Sequence, residues 1–245
     1  MKRIFLSLLA LCAMQFFALS VQAQGFVVGT PTVNEGVLWT EARVSLNLDN
    51  ETTNLEEAYI YRQFIDYGFS DDFALRLTLE QDDLQDQDFD HNNFQLESRF
   101  QLFDNENHGF EGGFRITYIN RDTGPDEIST LWAAEKFFGH DKSWSYRHNF
   151  LVNHQLGADS RSGLIFTTRS SLRKKVSFGQ IGFESFSDFG LIRDLSGFSD
   201  QIHTVGPMVN GTIFNNAFGY QVSIRQGISR AAADQTFFIG IVKNF

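Results

Sequence analysis

The sequence predicts an all-β protein, an antiparallel transmembrane β-barrel of about twelve strands with short turns on one side and longer loops on the other. Three observations carry this. Segments of roughly ten residues alternate apolar with polar side chains, the period-two pattern of a strand with two unlike faces. The connections between them alternate short and long, and both chain ends fall on the short side. Finally, the chain stops inside a strand: over Thr236 to Phe245, Phe237, Ile239, Ile241 and Phe245 share one side, and Thr236, Gly240 and Asn244 share the other. A free strand end with an apolar face invites mispairing unless it closes against the first strand of a barrel. Composition agrees, with 27 Phe against 3 Pro, a balance that favours strands.

Taken in order, Gln24 to Gly36 has no sustained alternation and reads as a lead-in. Ala42, Val44, Leu46 and Leu48 then oppose Glu41, Arg43, Ser45 and Asn47, and a polar loop follows. Glu57 to Tyr67 is a strand of unclear phase, and Gly68 to Asp71 turns the chain. Phe73, Leu75, Leu77 and Leu79 interleave with Ala74, Arg76, Thr78 and Glu80. Gln81 to Asn92 reads as a long acidic loop. The clearest hairpin follows: Phe94, Leu96, Phe100 and Leu102 against Asn93, Gln95, Glu97, Arg99 and Gln101, then Phe110, Phe114, Ile116 and Tyr118 against Glu111, Arg115 and Thr117. Ile128 to Phe138 is a second strand of unclear phase. Past a turn at Gly139 to Lys142, Trp144, Tyr146, Phe150 and Val152 alternate with Ser145, Arg147, Asn149 and Asn153. Leu164 to Leu172 puts Thr167, Arg169 and Ser171 on its polar side, and Lys174-Lys175 marks a tight turn. Val176 and Phe178 keep one phase while Ile181 and Phe183 keep the other, which predicts a β-bulge near Gly179. Gln201 to Ile213 contains Pro207, which predicts a kink or bulge there, because a closed barrel has no edge to hide a missing donor. Phe218, Tyr220, Val222 and Ile224 against Gly219, Gln221, Ser223 and Arg225 restore the pattern before the closing strand.

Lys2 and Arg3 followed by the apolar run from Ile4 to Leu19 and the small-residue site Val21-Gln22-Ala23 form a secretory signal peptide over residues 1–23. The cysteine, Cys12, lies within it, and Leu11 stands where a lipoprotein signal needs a small residue, so the mature chain is expected to be free of thiols and disulfides. The formal net charge of -10 argues against nucleic acid as a partner.

The closing strand resembles that of Gram-negative outer-membrane β-barrel proteins, in which alternating apolar residues lead to a terminal Phe read by the barrel-assembly machinery. Lys243 departs from the pattern at a place usually apolar or aromatic. The resemblance implies export to the cell outer membrane and contact with outer-membrane lipid and lipopolysaccharide. It makes residues 24–36 a periplasmic lead, residues 37–245 the barrel, and Phe237, Ile239, Ile241 and Phe245 the assembly signal. Gly182-Phe-Glu184, Phe189-Gly190 and His203-Thr-Val-Gly206-Pro207 further resemble a group of transporter-like or porin-like proteobacterial barrels over the last third of the chain. A soluble β-barrel or sandwich also alternates with period two, but it requires neither the alternation of turn lengths nor a strand at the chain end. Phe73, Phe110, Trp144, Tyr146, Phe218, Tyr220 and Phe245, all near short turns on the apolar face, read as an interfacial girdle.

On the polar face Arg76, Arg99, Arg115, Arg147 and Arg169 each lie about four to six residues from a short turn, at broadly one height in a barrel of tilted strands. Arg43 and Arg225 extend this cationic zone, and Glu80 and Glu97 are expected as an acidic layer above it. Rings of charged side chains select ions, so these residues suggest a porin-like pore for small polar or anionic solutes. The same residues equally suit a closed barrel sealed by Arg–Glu pairs that serves structure or surface contacts. No cofactor and no metal site is implied: Asp86, Asp88, Asp90 and Glu97 have calcium-loop spacing, but His91 replaces the required glycine. Asn153-His154-Gln155 before Ser160-Arg161-Ser162 has a slight likeness to outer-membrane phospholipase, with Leu156 in the nucleophile's place; His148 shares the apolar phase.

Overall fold

A computed structural model describes residues 27–48, 58–84, 90–105, 109–158, 160 and 162–245. The expected signal peptide, together with Asp86 and Asp88, lies outside the described residues. Twelve strands follow one another: β1 (Leu38–Leu48), β2 (Ala58–Gly68), β3 (Phe73–Leu84), β4 (Asp90–Asn105), β5 (Phe110–Arg121), β6 (Asp126–Phe138), β7 (Trp144–Leu156), β8 (Ile165–Val176), β9 (Gly179–Leu191), β10 (Ile202–Ile213), β11 (Phe218–Gly227) and β12 (Gln235–Asn244). Each pairs antiparallel with the next, and β12 returns to β1 from Trp39 opposite Asn244 to Leu48 opposite Gln235, closing an antiparallel barrel. Closure leaves no unpaired edge, so the chain can end on an apolar strand without exposing a pairing template.

The distribution of polarity is the reverse of a soluble protein's. Ile65 (54 % exposed), Trp132 (50 %) and Phe150 (48 %) point outward, while Arg225 and Thr236 on the inside are fully buried. A hydrocarbon surround rewards this arrangement, because the strands pair all the way around the ring and the apolar wall meets apolar solvent. Aromatic rings gather at the short-turn end. Tyr67 meets Phe69 edge-on at 4.9 Å, Phe73 meets Phe100 at 5.2 Å, and Phe138 stacks on Trp144 at 6.4 Å. Lys243 lies over Phe245 (4.8 Å) and Phe218 (5.3 Å) at the same end, so its ammonium is held in the interfacial ring.

Some expectations change. The β8–β9 turn is Ser177-Phe178, with Val176 paired to Gly179, and not Lys174-Lys175. The phase switch between Phe178 and Ile181 is therefore a hairpin, and the bulge on this pair falls at Phe166/Thr167. Pro207 causes no register shift: the β10–β11 ladder skips Gly206 and Pro207 and resumes at Met208 opposite Ser223. Gly206 permits that passage, since a Cβ there would stand 1.8 Å from the Ile224 carbonyl oxygen. Within the acidic stretch 81–92 the described residues, 81–84 and 90–92, are strand, with Asp82 opposite Asp90 in the β3–β4 ladder. These strands continue past the apolar band, where pairing still satisfies the backbone.

Candidate functional site

Strand alternation points Arg43 (β1), Arg62 (β2), Arg76 (β3), Arg99 (β4), Arg115 (β5), Arg147 (β7), Arg169 and Arg173 (β8) and Arg225 (β11) into the barrel, and all but Arg147 are buried by their surroundings. Register then decides which charges meet. Arg62 stands opposite Glu80, Asp66 opposite Arg76, and Glu135 opposite Arg147. Each of these three pairs is an ion pair: Arg62 with Glu80, Arg76 Nε to Asp66 at 2.9 Å, and Arg147 Nε to Glu135 at 2.8 Å. Arg43 takes both oxygens of Glu41, two residues away on its own strand, at 2.7 Å each. Arg99 and Arg115 face each other in register as like charges, an arrangement tolerated only when carboxylates sit beside them. Asp66 accepts from Arg99 Nη1 at 2.5 Å as well as from Arg76, and Glu97 accepts from Arg115 Nη1 at 3.2 Å. Trp39 and Phe64 cover the guanidinium planes, with Arg76 4.8 Å from the Trp39 ring and Arg43 4.2 Å from the Phe64 ring.

A guanidinium has five donors, and one carboxylate oxygen does not use them. One further donor of each of three arginines takes a main-chain carbonyl from residues 27–34, which lie within the lumen and not in the periplasmic position expected of them. Arg99 Nη2 donates to Thr32 O at 3.0 Å, Arg115 Nη2 to Thr30 O at 2.5 Å, and Arg147 Nη1 to Val28 O at 3.0 Å. Asn149 grips the same segment from β7, accepting from the Gly29 N–H at 2.6 Å and donating to the Gly29 carbonyl at 3.0 Å. Gln101 accepts from the Val33 N–H at 2.7 Å, and Glu111 from the Thr32 hydroxyl at 2.9 Å. The segment leaves β1 at the short-turn end, where Gly36 N–H donates to Gly68 O at 2.9 Å, and follows the inner wall past β4 and β5 to β7. Gly29 lies close under Arg115: a Cβ there would stand 2.9 Å from Arg115 Nη2, so a larger residue would displace the guanidinium. Val28 and Val33 are buried against the wall. Beside this strap remains a cavity of about 510 Å³, lined among others by Arg62, Gln95, Thr117, Arg169, Asp188 and Gln221.

The interior thus holds each charged residue expected on the polar face: Arg43, Arg76, Glu80, Glu97, Arg99, Arg115, Arg147, Arg169 and Arg225. Arg76, Arg99, Arg115 and Glu97 form one network; Glu80 belongs to Arg62, and Arg225 stands across the barrel, 3.9 Å from Glu184 and 4.3 Å from the Phe186 ring. The acids do not form a layer above the arginines but alternate with them, because antiparallel register sets opposite charges side by side. Sequence reasoning missed Asp66, Arg62 and Glu135, which lie on the two strands of unclear phase, and Arg173. Phe237, Ile239, Ile241 and Phe245 share the outer face. On that face His148 Nδ1 lies 2.6 Å from the Ser170 hydroxyl. His154 and Ser160 have separate partners, the carbonyls of Gly163 and Gly157.

Comparison with solved structures places this architecture. No protein-family model and no curated protein sequence matches the chain. The structure is similar to that of KdgM porin (TM-score 0.58, 10% identity, covering 84% of this chain and 99% of that one). It is similar to NanC porin (0.59, 8%, 84% and 100%) and to an outer-membrane channel from Pseudomonas putida F1 (0.64, 8%, 87% and 97%). The fold is that of porin-like outer-membrane barrels. At these identities the likeness concerns the path of the chain, and the lumen has to be read from its own side chains.

Proposed function

We propose that this protein is a porin-like channel of the Gram-negative outer membrane that passes small anionic solutes through its arginine-lined lumen. The observation that carries the reading is the cavity beside residues 27–34, whose wall includes Arg43, Arg62, Arg76, Arg99, Arg115 and Arg169. Although the whole chain is acidic, the cavity wall sets seven arginines, Arg147 among them, against four carboxylates, Glu41, Glu97, Glu127 and Asp188. A dry, low-dielectric wall focuses their field into the lumen, and fixed cationic groups replace part of an anion's hydration shell. The KdgM porin has been solved in complex with disordered oligogalacturonate, which makes acidic oligosaccharides a reasonable first class of solute. In this reading the signal peptide delivers the chain to the periplasm, Phe237, Ile239, Ile241 and Phe245 address it to the assembly machinery, and lipopolysaccharide surrounds the finished wall. Single-channel recording tests the proposal. The refolded protein in a planar bilayer under a salt gradient should show stable conductance with an anion-selective reversal potential. Arg62→Gln with Arg169→Gln should move that potential toward zero selectivity. A folded barrel that is silent, both intact and with residues 27–36 deleted, overturns the channel in favour of a closed structural barrel.

A further inference from the structure

The strap is bound in an unusual manner for an extended segment packed inside a protein. Its side chains contribute little of the grip: three arginines, one asparagine and one glutamine read its main chain. The acceptors are the carbonyls of alternate residues, Val28, Thr30 and Thr32, and the donors come in the same order from β7, β5 and β4. Residues 27–34 carry no turn, so these carbonyls form a regular row of oxygens facing a row of guanidiniums. A carbonyl is a neutral acceptor, and charge-assisted bonds from Arg to carboxylate or phosphate are stronger and naturally bidentate. The row of arginines is therefore better matched to an extended oligomer bearing regularly spaced anionic groups than to the segment that fills it.

We propose that residues 27–34 act as an internal ligand, occupying with main-chain carbonyls the positions that the anionic groups of an extended acidic oligomer take on Arg99, Arg115 and Arg147, so that solute binding and strap release are one exchange. The proposal rests on the channel reading and names the solute class and its regulation. The geometry supplies both halves of the exchange. Each of the three arginines keeps a carboxylate when the strap leaves: Asp66 for Arg99, Glu97 for Arg115 and Glu135 for Arg147. The site thus remains ordered, with unused donors turned into the lumen. The strap in turn carries no cysteine, is joined to the barrel through the main chain into β1, and its hold at Asn149 is two hydrogen bonds between neutral groups, each of modest net worth. Linkage makes the coupling reciprocal: whatever loosens the strap raises the apparent affinity for the acidic solute, and saturating solute frees the strap.

The experiment places a reporter where docking hides it. Val28 is 1 % exposed, so Val28→Cys in a Cys12→Ser background should react slowly with a membrane-impermeant maleimide while the strap is docked. Saturating trigalacturonate should accelerate labelling at least tenfold, and neutral maltotriose should leave it unchanged. Asn149→Ala should raise labelling without any solute and tighten trigalacturonate binding, because it loosens the strap while keeping all three arginines. Arg115→Gln with Arg147→Gln should raise basal labelling and abolish the response to trigalacturonate. A barrel that conducts anions but labels at the same rate with and without trigalacturonate overturns the exchange and leaves the channel standing. Equal acceleration by maltotriose overturns the anionic specificity. Absence of conductance even in Asn149→Ala strikes the channel reading itself. Should the double arginine variant fail to refold, the Asn149→Ala and trigalacturonate arms decide the matter alone.

Discussion

The two halves of the lumen wall solve the problem of burying arginine in different ways. From β2 to β7 the guanidiniums are met by carboxylates and by the strap, in a network where Asp66 and Glu97 are each shared among several arginines. From β8 to β12 the interior is narrower in character: Ser171, Gly182, Gly206, Ser223, Thr236 and Gly240 give it small side chains, and Arg225 lies between the rings of Phe186 and Phe238 at 4.3 and 5.8 Å, 3.9 Å from Glu184. The first half is a set of hydrogen bonds that can be exchanged for others. The second is a packed pillar whose contacts depend on shape. Water and solute therefore meet chiefly the first half, with Arg169, Asp188 and Gln221 carrying the cavity wall into the second.

The pillar is broken most severely at its glycines. In Gly206→Val the new Cβ would meet the Ile224 carbonyl oxygen at 1.8 Å and Arg225 Cα at 2.7 Å, backbone contacts that no side-chain rotation relieves. The barrel is expected not to close, with loss of the folded band in unheated gel electrophoresis after refolding. Normal folding would show that β10 and β11 can separate there. In the exchangeable half the largest expected effect comes from Asp66→Asn, which takes from Arg76 and Arg99 their nearer shared carboxylate and leaves them Glu97 at 3.9 Å. Removing one partner of a buried pair costs about 3–5 kcal/mol, and partial hydration of a lumen puts the expectation at the low end, about 3 kcal/mol in urea unfolding. The same variant should increase anion selectivity, since it removes negative charge beside the pore. Loss of stability without a change in selectivity would mean that this half, too, is a pillar.

The alternation that defines the outer wall was legible in sequence for β1, β3, β4, β5, β7 and β11, whose two faces differ cleanly. It failed at β2 and β6 for a physical reason. β2 turns Ile60 and Phe64 inward and Tyr61 and Gln63 outward, and β6 buries Leu131 and Ala133 while presenting Thr130 and Lys136 to the outside. With both faces mixed, period-two polarity cancels, and Asp66, Arg62 and Glu135 were lost with it. The strap was invisible for a different cause. Chain held by its carbonyls and N–H groups leaves no trace in its side-chain pattern; the residues that do respond to its position, Gly29 beside Arg115 and Pro31 beside Gly113, have no period to display. The acceptors of the arginines were therefore misassigned to a separate acidic layer, although the arginines themselves were read from their strands.

The smallest effect, and the finest test of the contrast between the halves, is Arg225→Lys. The charge beside Glu184 is kept, but the planar group between Phe186 and Phe238 is lost. Arginine stacks on aromatic faces with its delocalised plane, whereas lysine offers a compact, more strongly hydrated ammonium. The lost cation–π contact predicts a destabilisation of about 1 kcal/mol, seen as a lower urea midpoint with an unchanged slope. Anion selectivity should stay where it was, because this residue holds the wall and its charge has not changed. If the reversal potential moves while stability does not, Arg225 faces solute as the strap arginines do, and the division of the lumen into an exchangeable half and a pillar is wrong at its centre.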